Sequence, residues 1–385
     1  MRRILAIAAG LVVLAASACA APAPPRSDAP SATPRGPATL PAPTGAHPVG
    51  TTALYLTDAF RPDPWNLDAE ARELKVTLWY PTEQRDGQRA PYMTPKESEL
   101  TLKGSRISGV PYDTLSRTRT NAIEDAEPAG RELPLVVLSP GFPKQVSTLS
   151  SLAEDLASRG YVVAGIDHAH ENYATTFPDG RVAECLACDS QTDPGFGTRV
   201  VRGRAADVSF VLDQLPSRWD GADLIQRSRI AMVGPSIGGA SAMAAMLEDS
   251  RVRAGINMDG TMYARIPKSG FARPFLLLGT KEHTPASRGD NSWDRDWKLL
   301  TGWKRWLVLS GTDHQSFTDG PLLAGALGVE PASGLLPAAR STELVRTYVA
   351  AFLDHHLKGE RQPLLDKPSP RHAEVEFWAA GSPSR

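Results

Sequence analysis

A series of short, almost wholly apolar runs constrains this chain more than any other feature. They are Leu135–Leu138, Tyr161–Ile166, Ile230–Val233, Ala254–Met258, Phe275–Leu278 and Trp306–Leu309. Runs of this length suit strands covered on both faces, and flanking turn residues separate them from buried helices. Helical periodicities fall between or after them. Leu149, Leu152, Ala153 and Leu156 make one stripe, closed by Gly160, and Ala205, Val208, Val211, Leu212 and Leu215 make another. A third, with Leu344, Val345, Tyr348, Val349, Phe352 and Leu353, occupies about 341–357. Short buried strands joined by helical crossovers predict an α/β fold, a mostly parallel central sheet with helices on both faces. Leu74–Tyr80 instead alternates at period two and stops at Pro81, as a half-buried early strand would. The stretch from about Asp167 to Val200 reads as a long loop.

The N-terminal segment has the pattern of an export signal. Arg2 and Arg3 precede the apolar run Ile4–Ala16, which is of signal-peptide length and short for a membrane span. Ala16-Ser17-Ala18-Cys19 resembles a bacterial lipobox, which implies lipidation of Cys19 after residues 1–19 have acted as signal. Cleavage near Ala18 or Ala20 without lipidation is the alternative. Residues 20–50, mainly Ala, Pro, Ser, Thr and Gly, bury too little apolar surface to offset their ordering entropy and read as a linker. A catalytic domain is expected over 51–365 and a Pro-rich, partly irregular tail over 366–385. The membrane is therefore a partner only through a lipid anchor. With 42 Lys and Arg against 43 Asp and Glu and no long basic block, nothing favours nucleic-acid binding. Besides Cys19 the chain has only Cys185 and Cys188, expected to pair outside the cytoplasm.

Chemistry enters with Gly234-Pro235-Ser236-Ile237-Gly238-Gly239. The pattern G-x-S-x-G lies between a buried strand and a small-residue helix (Ala240, Ala242, Ala244, Ala245), the setting of a nucleophile elbow. No Lys follows the glycines, which argues against a phosphate-binding loop. A serine hydroxyl needs a base. His314, in Gly311-Thr312-Asp313-His314 just past the last buried run, is the best placed, and His283 is its rival. The order Ser, acid, His leaves Asp259 and Glu282 as acids, each following a strand, with Asp313 a weaker third. An oxyanion hole needs two backbone N–H groups. Ile237 supplies one, and Gly141 or Phe142 the other, because Pro140 and Pro143 have none.

Taken together, Pro134–Phe142, Gly234–Gly239, Gly255–Gly260, His314-Gln315-Ser316-Phe317 and the early Trp79-Tyr80-Pro81 resemble the platelet-activating-factor acetylhydrolase group of the α/β-hydrolases. The resemblance covers about residues 50–360. It implies that Asp259 is the acid, from its spacing after Ser236, and that Phe142 is the second oxyanion donor. It also implies hydrolysis of short or oxidised acyl esters, phospholipids among them, and acyl transfer by such a serine requires no metal and no cofactor. Pro235 and Pro140 stand where the group often has histidine, which bears on substrate preference rather than on the triad. Dienelactone-type and polyester hydrolysis, and a non-catalytic surface-binding lipoprotein on the same fold, are the alternatives. Asp167-His168-Ala169-His170-Glu171 has a passing likeness to a metal site but reads better as a structural or polar rim. Trp293, Trp297, Trp303 and Trp306 read as packing residues.

Overall fold

The structure is a computed structural model that describes residues 36–378, apart from 286 and 288. Cys19, the signal segment and the first part of the linker lie outside the described residues. Strands are numbered β1 (Val49–Asp58), β2 (Arg72–Pro81), β3 (Ile123–Glu124), β4 (Leu133–Leu138), β5 (Val162–His168), β6 (Ala174–Thr176), β7 (Val182–Glu184), β8 (Ile225–Pro235), β9 (Val252–Met258), β10 (Phe275–Gly279), β11 (Lys304–Leu309) and β12 (Val375–Trp378). Helices are α1 (Pro95–Gly104), α2 (Ser150–Ser158), α3 (Phe196–Arg218), α4 (Ile237–Glu248), α5 (Ser292–Trp297), α6 (Gly320–Leu323) and α7 (Ala338–Leu353).

One 10-stranded sheet runs β12-β11-β10-β9-β8-β4-β5-β2-β1-β3. From β5 to β11 every neighbouring pair is parallel, while β2 and β12 pair antiparallel at the flanks. The apolar runs divide their side chains between two cores at period two. Leu135, Val137, Ile230, Met232, Phe275 and Leu277 point to one face, against Val208 and Leu212 of α3 and Met243 and Met246 of α4. Val136, Leu138, Ala231, Val233, Leu276 and Leu278 point to the other, against Leu152 and Leu156 of α2 and Tyr348 and Phe352 of α7. Burial on both faces is why these strands show no polar alternation in sequence.

The folded body is wider than 51–365 at both ends. Thr39 pairs with Arg119, Leu40 is 2 % exposed, and Thr44 donates through its N–H and hydroxyl to Asp155 on α2. Residues from about 38 therefore belong to the body rather than to the linker. One anchoring leucine and a few backbone bonds suffice, and composition averaged over thirty residues hides them. At the other end Val375–Trp378 is an edge strand on β11, with Val375 buried, so the sheet extends past 365 into the tail. The 167–200 stretch also carries structure: a β6–β7 ribbon, and a disulfide joining Cys185 and Cys188. Trp293 and Trp306 are each 1 % exposed and pack together, with ring centroids 5.6 Å apart.

Candidate active site

β8, β9 and β10 are parallel and in register, with Pro235 opposite Met258 and Met258 opposite Leu278. The residues that follow them emerge side by side at one rim of the sheet. Ser236 occupies the turn from β8 into α4 with φ 55° and ψ −131°, a sparsely populated backbone state. The turn is pinned from both sides. Ser236 N–H donates to Met258 O at 2.7 Å, and Ser236 O accepts from the N–H groups of Gly239 and Ala240 at 3.0 and 3.1 Å. The glycines of the motif make room for a neighbouring loop. A Cβ at Gly234 or Gly238 would overlap Ser139 O, so the loop after β4 could not reach Ser236. It does reach it: a Cβ on Gly141 would stand 3.3 Å from Ser236 Cβ. The next N–H along, that of Phe142, donates to no protein acceptor among the described residues. Ile237 opens α4, where helix geometry leaves an N–H without an intrahelical partner.

Asp259 directly follows β9, at φ 57° and 5 % exposure. Asn257 shapes its turn by accepting from Gly260 N–H at 2.9 Å and donating to Gly260 O at 2.7 Å. Asp259 Oδ2 accepts from His314 Nδ1 at 2.7 Å, while Oδ1 accepts from Thr280 N–H and from His283 Nδ1, both at 2.8 Å. Burial opposes its charge, but the hydrogen bonds of His283 and His314 outweigh burial and hold the carboxyl far below the usual carboxylate range.

His314 begins a single helical turn, His314–Phe317, beyond β11. Asp313 caps that turn through Ser316, so its carboxylate is committed locally. With Nδ1 facing Asp259, Nε2 is the nitrogen left to exchange a proton. Glu282 is exposed, and among the described residues its carboxylate meets neither histidine. Of the two acids considered, the structure brings Asp259 to His314 and leaves Glu282 outside. Of the two histidines, it brings both to the same carboxylate. Sequence spacing cannot foresee that sharing.

The sequence also leaves unsignalled the scaffold beneath the Ser139–Pro143 loop. Arg204, on α3 and 1 % exposed, donates to Ser139 Oγ at 3.0 Å, to Pro140 O, and to Glu171 Oε2 at 2.7 Å. His168 Nε2 lies 3.0 Å from the same Ser139 Oγ, and its Nδ1 lies 2.7 Å from Asp207 Oδ2. Burial and the nearby Arg204 charge lower the His168 pKa against the pull of Asp207. A neutral ring with its proton on Nδ1 lets Nε2 accept from the Ser139 hydroxyl, which accepts in turn from Arg204. Arg72 closes the network on Asp63, at 2.7 Å, and Asp207, at 2.9 Å. The Asp167–Glu171 segment thus supplies His168 and Glu171 to a buried charge cluster under the loop, while Asp167 accepts from Val146 N–H at 2.8 Å. A mainly apolar cavity of about 340 Å³ adjoins the His314 turn, bordered by Lys144, Asp313, Gln315, Tyr92, Met93 and Leu327.

Comparison with known proteins accords with this architecture. The model of the family "Platelet-activating factor acetylhydrolase, isoform II" matches residues 33–185 and 205–362. A relative from Arthroderma benhamiae, named "Probable 1-alkyl-2-acetylglycerophosphocholine esterase", is 29% identical over 374 residues, covering 88% of this chain and 93% of its own length. The platelet-activating factor acetylhydrolase of Canis lupus familiaris is 27% identical over 264 residues, 59% of this chain and 58% of that protein. The solved structure of a ferulic acid esterase from Streptomyces cinnamoneus superposes with a TM-score of 0.78 at 44% identity, covering 88% of this chain and 99% of that one. With a mostly parallel sheet, a serine at the elbow after β8 and esterases on every side, the chain is a serine ester hydrolase of α/β-hydrolase fold and belongs to the platelet-activating factor acetylhydrolase, isoform II, family.

Proposed function

We propose that this chain is an exported carboxylic-ester hydrolase that works through an acyl-enzyme on Ser236, with His314 as general base and Asp259 as its partner. The observation that carries the reading is the 2.7 Å bond from His314 Nδ1 to Asp259, one residue past the strand end to which Ser236 N–H is bonded. Ser236 Oγ bonds to the ester carbonyl carbon as its proton passes to His314 Nε2. The N–H groups of Phe142 and Ile237 receive the oxyanion. The carbonyl–alcohol bond then breaks, and His314 gives the proton to the leaving oxygen. Water repeats the steps on the acyl-enzyme, freeing the acid and restoring Ser236. Asp259 keeps the imidazole in one tautomer and stabilises the imidazolium form. No step calls for a metal or cofactor.

The substrate is a small-molecule or lipid ester. Acetyl-phospholipid and hydroxycinnamoyl esters are the two classes to compare first, from the names of the fungal relative and the Streptomyces neighbour. Export rests on the Arg2-Arg3 and Ile4–Ala16 pattern, and surface anchoring on Cys19. The Cys185–Cys188 bond suits the oxidising compartment that export would provide. Among the described residues no helix is long and apolar enough to cross a membrane.

The test is Ser236→Ala. The variant should keep the far-UV circular dichroism of the parent, lose turnover of a p-nitrophenyl acyl ester and no longer be labelled by a fluorophosphonate. Turnover equal to the parent's would remove the reading. A panel of acetyl-phospholipid, feruloyl and plain alkyl esters then ranks the substrates.

A further inference from the structure

His283 has no part in the mechanism above, yet it is built into the site as firmly as His314. It lies in the short turn after β10 and is 8 % exposed. Its Nδ1 faces Asp259 Oδ1 at 2.8 Å, and its Nε2 stands 3.5 Å from Asp290 Oδ2, at ion-pair range. The ring stacks on Trp293, centroids 4.4 Å apart at 28°, and Trp306 Nε1–H donates to the His283 carbonyl at 2.7 Å. A Cβ on Gly279 would come 2.9 Å from His283 Cβ, so the strand end before it must be bare for the ring to sit there. Asp290 is fixed in turn by Ser292, whose N–H and Oγ lie 2.7 and 2.9 Å from its two oxygens. The groups form one line: Asp290, His283, Asp259, His314.

We propose that His283 is a positioning residue for the reaction: as a buried cation on the far oxygen of Asp259, it fixes the carboxylate for His314 and moderates its pull on that base. This rests on the Ser236–His314–Asp259 reading above. Two carboxylates flank one imidazole, so the ring carries a proton at neutral pH. Burial works against that charge, but Asp259 and Asp290 outweigh burial and raise the pKa to about 9. Among the described residues the charged or titratable groups facing the ring are Asp259 and Asp290, with His314 across Asp259 and Arg295 coupled to Asp290. A lone carboxylate buried beside a base would bind its proton tightly and slow its release to the leaving group. A second cation on that carboxylate lessens the effect and leaves the geometry unchanged. The donor and the charge are thus separable contributions of one side chain.

Two variants separate them. His283→Leu removes both, and His283→Asn keeps a neutral donor near the Nδ1 position. His283→Leu should lower kcat about 10- to 100-fold with KM within about threefold, as for loss of an outer partner that orients a reacting group. The acidic limb of its kcat/KM profile should move up by about 0.5–1 pH unit, because the base no longer faces a second cation. His283→Asn should recover most of kcat and keep the displaced limb. Circular dichroism, and fluorophosphonate labelling of Ser236 given excess probe and time, check that both variants are folded. Unchanged kcat and an unmoved limb in His283→Leu, beside a dead Ser236→Ala, would overturn the inference and leave the function standing. A fall in kcat with an unmoved limb in both variants would reduce His283 to packing and also overturn it. If Ser236→Ala retains full turnover, the function itself fails.

Discussion

Asp259 gives its two oxygens to different partners, and this division makes the acid assignment testable. Oδ2 serves His314, while Oδ1 is taken by His283 and the Thr280 N–H. Asp259→Asn would turn one acceptor into a donor, against imidazoles that need acceptors, and favour the wrong tautomer of His314. It should cut kcat on a p-nitrophenyl ester by about 10³- to 10⁴-fold, while Glu282→Gln stays within about twofold of the parent. The reverse result would reassign the acid. At this scale the sequence was uneven. Ser236 was legible because strand, glycines and helix all lie next to it in the chain. His314 was legible as the histidine just past the last buried run. Asp259 and Glu282 follow successive strands in the same way, so local residues could not rank them, and family spacing could. His283 stood out as a rival base, but two histidines converging on one carboxylate is a fact of three dimensions.

Elements follow the same logic. The buried parallel strands were readable because burial on both faces leaves continuous apolar letters. β1 was not, since VGTTALYLTD is half-exposed and its threonines blend into the linker composition. α1 is polar with a weak apolar stripe, yet Thr94 and Glu97 form a reciprocal cap with Pro95 in the first turn, a local signal that could have revealed it. The support of the Ser139–Pro143 loop depends on α3, through Arg204. Arg204→Met should cost about 3–5 kcal/mol in a urea titration, because it breaks the 2.7 Å buried ion pair to Glu171 and removes the donors to Ser139 and Pro140 together. Arg204→Lys keeps the charge but cannot reach Glu171, Ser139 and Pro140 together. Its kcat should fall while KM holds, since the loop that offers the Phe142 N–H is no longer fixed. Equal kcat in Arg204→Lys and the parent would show that the loop needs no such support.

For the whole molecule, the buried groups set how stability changes with pH. Asp319 is buried between Tyr92, α2 and the His314 turn, and desolvation raises its pKa to about 8. The native state therefore holds a proton there that the unfolded chain gives up near 3.8, so stability falls as pH rises through that window. His283, raised to about 9 from 6.5, acts in the same direction: its contribution is full below pH 6.5 and is lost as pH climbs to about 9. Both slopes descend between pH 6.5 and 8, so differential scanning calorimetry should find Tm falling across that range. Asp319→Asn should flatten the fall. A Tm that rises over the same range would contradict both assignments. Such coupling across distant segments is the part of the molecule least legible in sequence. Asp319 looks like a surface aspartate in Thr318-Asp319-Gly320, and only the packing of α2 against the following turn hides it from water.

Ser236 and Asp259 are both held at positive φ, at the tips of adjacent strands. Left-handed backbone at a residue with a side chain costs on the order of 1–3 kcal/mol. At Asp259 the three bonds its carboxylate accepts offset that strain, but Ser236 has no such return, and selection for durability alone would write glycine there. That the chain keeps a hydroxyl at Ser236 means its ceiling of robustness has been set below what the same architecture could reach, and efforts to harden it should look anywhere but that turn.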